Sequence, residues 1–200
     1  METWIAPALM GLGLAASTGL RTFLPLLMLG LAARLGLFGV TINPHVHWLA
    51  SNTALIALGV AAAVELAADK VPIVDHALAA VGTVTRPLAG ALAAGAVFSH
   101  ADPTMAALAG LVIGVPTALT FHAAQSSTRA VSTLTTAGLA NPVVSLFEDG
   151  ATVALAMAAF LVPALAAALV LLLMAFFFFT GRAILRRWAA RRASRTETTA

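Results

Sequence analysis

The chain has no cysteine among its 200 residues, which excludes structural disulfides and thiolate metal sites. Charge is nearly as scarce. Only 10% of residues are Asp, Glu, Lys or Arg, against about a quarter in a soluble domain, while 60% are hydrophobic. The mean hydropathy is +0.97. A soluble domain of this size needs a polar exterior that such a composition cannot supply, so the chain reads as a polytopic membrane protein. The opening METWIAPALM has no basic n-region, and no cleavage site follows; the first apolar run is therefore expected to be a retained span. Catalytic signatures are missing too. There is no Gly-x-Ser-x-Gly elbow, no His-Glu-x-x-His and no phosphate-binding glycine loop. The glycine-rich GLGLAASTG (Gly11, Gly13, Gly19) has neither a preceding strand nor a following lysine. Asp75, His76 and Ser126 offer the residue types of a hydrolase without its geometry, which has to come first. The chain is expected not to be an enzyme, and nothing in it asks for a cofactor.

What charge there is falls in two places. Six arginines (Arg182, Arg186, Arg187, Arg191, Arg192, Arg195) crowd the tail, 181–200, and without that tail five basic residues face seven acidic ones. The alkaline pI thus belongs to one segment. A basic segment directly after an apolar run is ordinarily a cytoplasmic anchor rather than a nucleic-acid patch, which places the C-terminus in the cytoplasm, here of a bacterial inner membrane, with no nucleic-acid partner. The second place is VELAADKVPIVDH, which holds Glu65, Asp69, Asp75, His76 and Lys70, the only lysine.

A span needs about 20 apolar residues. Six candidates appear, at roughly 5–33, 50–68, 77–98, 104–124, 130–147 and 151–180. The predicted architecture is an all-α polytopic transmembrane helical bundle of about six spans in a single domain, 1–180. The fourth span carries GLVIG (Gly110, Gly114), suited to close helix approach. The sixth contains Pro163, which predicts a kink. Three segments are broken: the first by Ser17-Thr18-Gly19, Arg21 and Pro25, the third by Arg86-Pro87, and the fifth by Ser132, Thr133, Thr135, Thr136, Gly138, Asn141, Pro142 and Ser145. Non-helical backbone at membrane depth survives only against protein or a wet cavity, so these segments are expected inside. A five-span alternative makes the fifth segment re-entrant. With six crossings the N-terminus shares the cytoplasmic side, leaving Arg34 outside.

Six spans divide into two sets of three, residues 1–100 and 101–180, each with acidic residues ending its second member (Glu65 and Asp69; Glu148 and Asp149) and each with a small-hydroxyl-then-arginine phrase (Ser17 to Arg21; Ser126 to Arg129). An odd number per set predicts a 3+3 inverted repeat, the plan of many secondary transporters. A charge inside a span costs about 3 kcal/mol or more without a partner. Arg21 and Arg86 are the deepest, and Glu65 and Asp69, four apart on one helix face, are their natural counter-ions. The expectation is one buried cluster of these four. Either the arginines neutralise both carboxylates, or one stays protonated, as in a proton-coupled carrier; the plainer reading is a fixed structural knot. Pro72 is expected to stop the second span, with Asp75 capping the next. His45, His47, His100 and Asp102, predicted together on the outer face, offer ligand types for zinc, manganese or iron, but their spacing matches no metal motif, so no metal is expected.

Four ordered motifs, GLAASTGLRTFLPLL (13–27), ELAADKVPIVDH (65–76), RPLAGALAA (86–94) and TAGLANPVVSLFED (136–149), resemble the bacterial membrane proteins catalogued as domain of unknown function 4126. The resemblance runs to about residue 165 and implies a multi-helix integral membrane protein without supplying a reaction. The residues themselves suggest a small transporter or permease in the lipid bilayer, with self-association expected and a small solute or ion as cargo. Arg21, Arg86 and Arg129 are then candidate anion or counter-ion contacts, Glu65, Asp69, Glu148 and Asp149 proton or cation sites, and Asn141-Pro142 a helix break on the pathway. The rival is a non-transporting structural or accessory protein in which the same ion pairs only fix packing.

Overall fold

Prolines set where the helices begin. The computed structural model describes the backbone of residues 2–68 and 72–197, and side chains at 4–68, 80–183 and 186. Its helices are α1 (Glu2–Leu20), α2 (Leu24–Leu35), α3 (Asn52–Ala68), α4 (Pro72–Ala96), α5 (Pro103–Thr136), α6 (Asn141–Leu161) and α7 (Pro163–Glu197), with 3₁₀ turns at Leu37–Gly39 and Pro44–Ala50. Pro72, Pro103 and Pro163 are first residues, and Pro25 and Pro142 second ones, whereas Pro87 lies inside α4, so the third predicted segment is not broken at Arg86-Pro87. Proline is pre-set for the first turn of a helix, where its missing N–H has no helical acceptor anyway. Pro163 and Pro142 therefore start helices rather than kink or interrupt them, and Pro72 opens α4, which leaves Asp75 within that helix. Asp102 caps α5, its Oδ1 accepting from the Thr104 and Met105 N–H groups at 3.0 and 3.2 Å.

Among the described residues three helices are long and apolar enough to cross a membrane, Pro103–Thr136, Asn141–Leu161 and Pro163–Ala183, and the pair Pro44–Ala50 and Asn52–Ala68, bent by 61°, makes a fourth if it is one span. The predicted boundaries shift accordingly. The first predicted span is two helices, broken at Arg21–Phe23. The predicted fifth segment is neither a span nor re-entrant: it is the end of α5, a turn, and the start of α6. Its hydroxyls explain why. Thr135 and Thr136 each donate to the carbonyl one turn back, at 2.8 and 2.7 Å, as Ser127 and Thr128 do just before the segment, at 2.7 and 3.0 Å, so a polar stretch satisfies itself as helix. The chain reverses only where Ala137 (φ 52°) and Gly138 (φ 85°) take left-handed conformations.

Contacts fix the direction of each helix. Trp4 meets Phe98 (centroids 5.6 Å apart) near the start of α1, and the Gly19 carbonyl meets Arg86 at its end, so α1 and α4 are antiparallel. Arg21 reaches Asp149 at the level where α1 ends, but Phe38, beyond α2, stacks on Phe160; α2 has therefore turned back along α6. Glu65 meets Thr22 and Phe23, while Gly30 faces Leu49 and Leu55, so α3 reverses again. Gly95 against Ala106, and Thr83 against His122, make α5 antiparallel to α4. The seven described helices alternate, so α1 begins and α7 ends at opposite ends of the bundle, where six crossings would bring them to one side. Among the described residues the division near residue 100 has four helices before it and three after, where a 3+3 repeat would give three and three.

The tightest seam joins α4 and α5. Residues Gly110–Gly114 of α5 form one π turn, and a Cβ on Gly114 would collide with the Gly90 carbonyl. GLVIG thus serves the close approach its small residues predicted.

Candidate functional site

The break after α1 begins with local hydrogen bonding. Ser17 Oγ and Thr18 Oγ1 donate to the Leu14 and Ala15 carbonyls at 2.7 and 2.8 Å, which competes with the helical ladder. Two residues past the break, Pro25 sits in the first turn of α2. The exposed N–H groups of the turn then need acceptors. Glu65, on α3, supplies both: Oε1 accepts from Thr22 N at 2.9 Å and Oε2 from Phe23 N at 3.1 Å. A carboxylate on a helix N-terminus also complements its dipole.

Arg21, fully buried, turns towards α6. Its Nε donates to Asp149 Oδ1 at 2.6 Å, its Nη2 to Ser145 Oγ at 3.0 Å, and Glu148 Oε2 lies 3.7 Å away. On α5, Arg129 pairs with Glu148, Nε lying 3.1 Å from both carboxylate oxygens with Nη2 on Oε2, and Gln125 Nε2 donates to Oε2 at 2.7 Å. Arg86, on α4, donates through Nη1 to the Gly19 carbonyl at 3.1 Å and to His122 Nδ1 at 2.9 Å. Arginine only donates, so Nδ1 accepts and the His122 proton is on Nε2, 3.3 Å from Thr83 Oγ1. Arg86 Nε has no hydrogen-bond partner among the described residues. Arg21, Arg129, Glu148 and Asp149 thus form one ion-pair network, and the buried Arg86 and Glu65 are held by separate hydrogen bonds.

The sequence reading did not pair Arg21 with α6. Arg21 belongs with Asp149 and Glu148, which the fold brings from α6, whereas Glu65 holds backbone N–H groups. Asp69, expected beside it, lies outside the described residues. Asn141 is apart from the network, at the turn before α6, with Nδ2 donating to Thr133 Oγ1 at 3.1 Å. His45, His47 and His100 are exposed, Asp102 serves as a cap, and among the described residues no three metal-ligating side chains converge. His122, Gln125 and Ser145 were missed. The first two lie with Arg129 at spacings of three and four, one helix face, a signal hidden by ending the fourth span at residue 124.

A cavity of about 730 Å³ opens between α5, α6 and α7. Leu20, Phe121, Leu155, Leu169, Leu173 and Phe177 give it apolar walls, and Gln125, Thr128 and Glu148 line it as well. Phe121 and Phe177 meet edge to face, centroids 6.0 Å apart. Glu148 is thus shared between the ion-pair network and the cavity.

An all-helical bundle with membrane-crossing apolar helices and buried ion pairs defines an integral membrane protein. Residues 8–183 match the model of the family described as domain of unknown function (DUF4126), and the chain belongs to that family. No curated protein and no solved structure matches it.

Proposed function

We propose that the protein is a small membrane permease whose translocation site is the cavity ending on Glu148. The observation behind this reading is that one carboxylate belongs both to a buried ion-pair network and to the wall of a ligand-sized cavity. Intramembrane ionisable groups mark solute and proton paths by default. Protonating Glu148 would weaken its hold on Arg129 and Arg21 and so couple the cavity to the helix break, which makes Glu148, rather than Glu65, the coupling carboxylate. The exposed Arg182 and Arg186 at the far end of α7 favour a cytoplasmic C-terminus in a bacterial inner membrane. Trp4 and Trp48, exposed near the opposite end, suit the other interface. Self-association would help so small a bundle enclose a path.

The test is proton flux into proteoliposomes, read with an entrapped pH dye. The wild type is expected to dissipate an imposed pH gradient, and Glu148→Gln to slow it about a hundredfold, the lower end of what one positioned proton-transfer group contributes. A wild-type rate equal to that of empty vesicles would reject the permease. The structural reading would then stand, favoured by Glu65, whose two oxygens are both occupied by backbone.

A further inference from the structure

We infer that the cavity between α5, α6 and α7 binds a neutral amphiphile, one apolar chain ending in an uncharged hydrogen-bond-donating head. The inference rests on the site proposed above and names the class of molecule that it takes. The volume, about 730 Å³, is that of a site for one small molecule, and such sites are mostly apolar with few polar groups that fix orientation. Here Phe121, Leu173 and Phe177 supply apolar wall, and the polar groups are Gln125 and Glu148. Both are more than nine-tenths buried.

The charge around that polar end selects the head. Glu148 is paired with Arg129 and lies 3.7 Å from Arg21, which in turn holds Asp149. Two positive and two negative groups cancel. An anionic head would face the Glu148 carboxylate while Arg129 and Arg21, the guanidiniums upon it, are already committed to carboxylates, and a cationic head would compete with Arg129 for that carboxylate; either full charge would also leave water. A hydroxyl or amide head avoids both costs and donates to Glu148 or to the Gln125 carbonyl oxygen.

The experiment uses the full chain in lipid nanodiscs and three photoreactive alkyl diazirines of one chain length, ending in a hydroxyl, a carboxylate or a trimethylammonium group. Cross-links are mapped by mass spectrometry. The hydroxyl probe is expected to label the facing surfaces of α5, α6 and α7, at least tenfold above the other two. Ala154→Phe fills the cavity from an exposed position on α6 and is expected to cut that labelling about tenfold. Glu148→Gln leaves Arg129 and Arg21 against Asp149 alone, so preference should move at least tenfold towards the carboxylate probe. Equal labelling by all three heads, labelling that survives Ala154→Phe, or labelling spread over the outer faces of α2 and α3 would overturn the proposal. Because Ala154→Phe leaves every ion pair intact, the test stands if Glu148→Gln fails to fold. Selective labelling without proton flux keeps this ligand class and removes the permease. Flux without labelling does the reverse.

Discussion

At the α1–α2 break, the buried carboxylate of Glu65 is committed to backbone, with both oxygens on the N–H groups of Thr22 and Phe23. At the α5–α6 contact, the equally buried carboxylate of Glu148 is committed to side chains, Arg129 and Gln125, and borders a cavity. Similar burial thus serves unlike purposes. A backbone-bound carboxylate cannot change partners unless a helix end comes undone, whereas a side-chain-bound one can exchange by rotamer changes. Arg21 joins the two regions, because its position in the chain belongs to the first and its ion pairs belong to the second.

Removing the joint should have the largest effect. Arg21→Ala leaves Asp149 and the Ser145 side chain facing a gap, and truncating one partner of a buried pair costs about 3–5 kcal/mol; a thermal or denaturant midpoint in detergent should fall with both regions affected together. Smaller and confined to the first region, Glu65→Gln keeps one acceptor but loses the charge on the α2 N-terminus, a cost of about 1 kcal/mol. Proton flux per folded molecule should be unchanged; a drop matching that of Glu148→Gln would erase the contrast. Smallest in stability, Gln125→Leu removes one neutral donor from Glu148, costing about 1 kcal/mol or less, yet it should reduce labelling by the hydroxyl probe severalfold. Full labelling in that variant would take Gln125 out of the site.

Helical class and membrane residence were legible because hydropathy is summed over whole segments and survives local error. Boundaries were less so. Thr135 and Thr136 read as interruptions, since a hydroxyl's carbonyl one turn back is invisible until the helix exists. Burial of Arg21, Glu65 and Arg86 followed from the cost of exposing charge to lipid, and the structure buries all three. Their partners could not be read that way. Asp149 lies 128 residues from Arg21 along the chain, and the choice between Glu65 and Asp149 is made by α2 folding back, which rests on Thr22, Phe23 and Pro25 acting together. His122, Gln125 and Arg129 were legible as one face, given the right helix end.

The π turn at Gly110–Gly114 has a consequence for phase. A π turn is an α-helix carrying one surplus residue, and each residue of an α-helix advances about 100° around the axis. Deleting one residue from GLVIG would restore an even helix and swing everything after it through more than a quarter of a circle. His122, Gln125 and Arg129 would then point away from Arg86 and Glu148 together. That single surplus residue acts as the indexing notch that keeps the lower half of α5 in step with its neighbours.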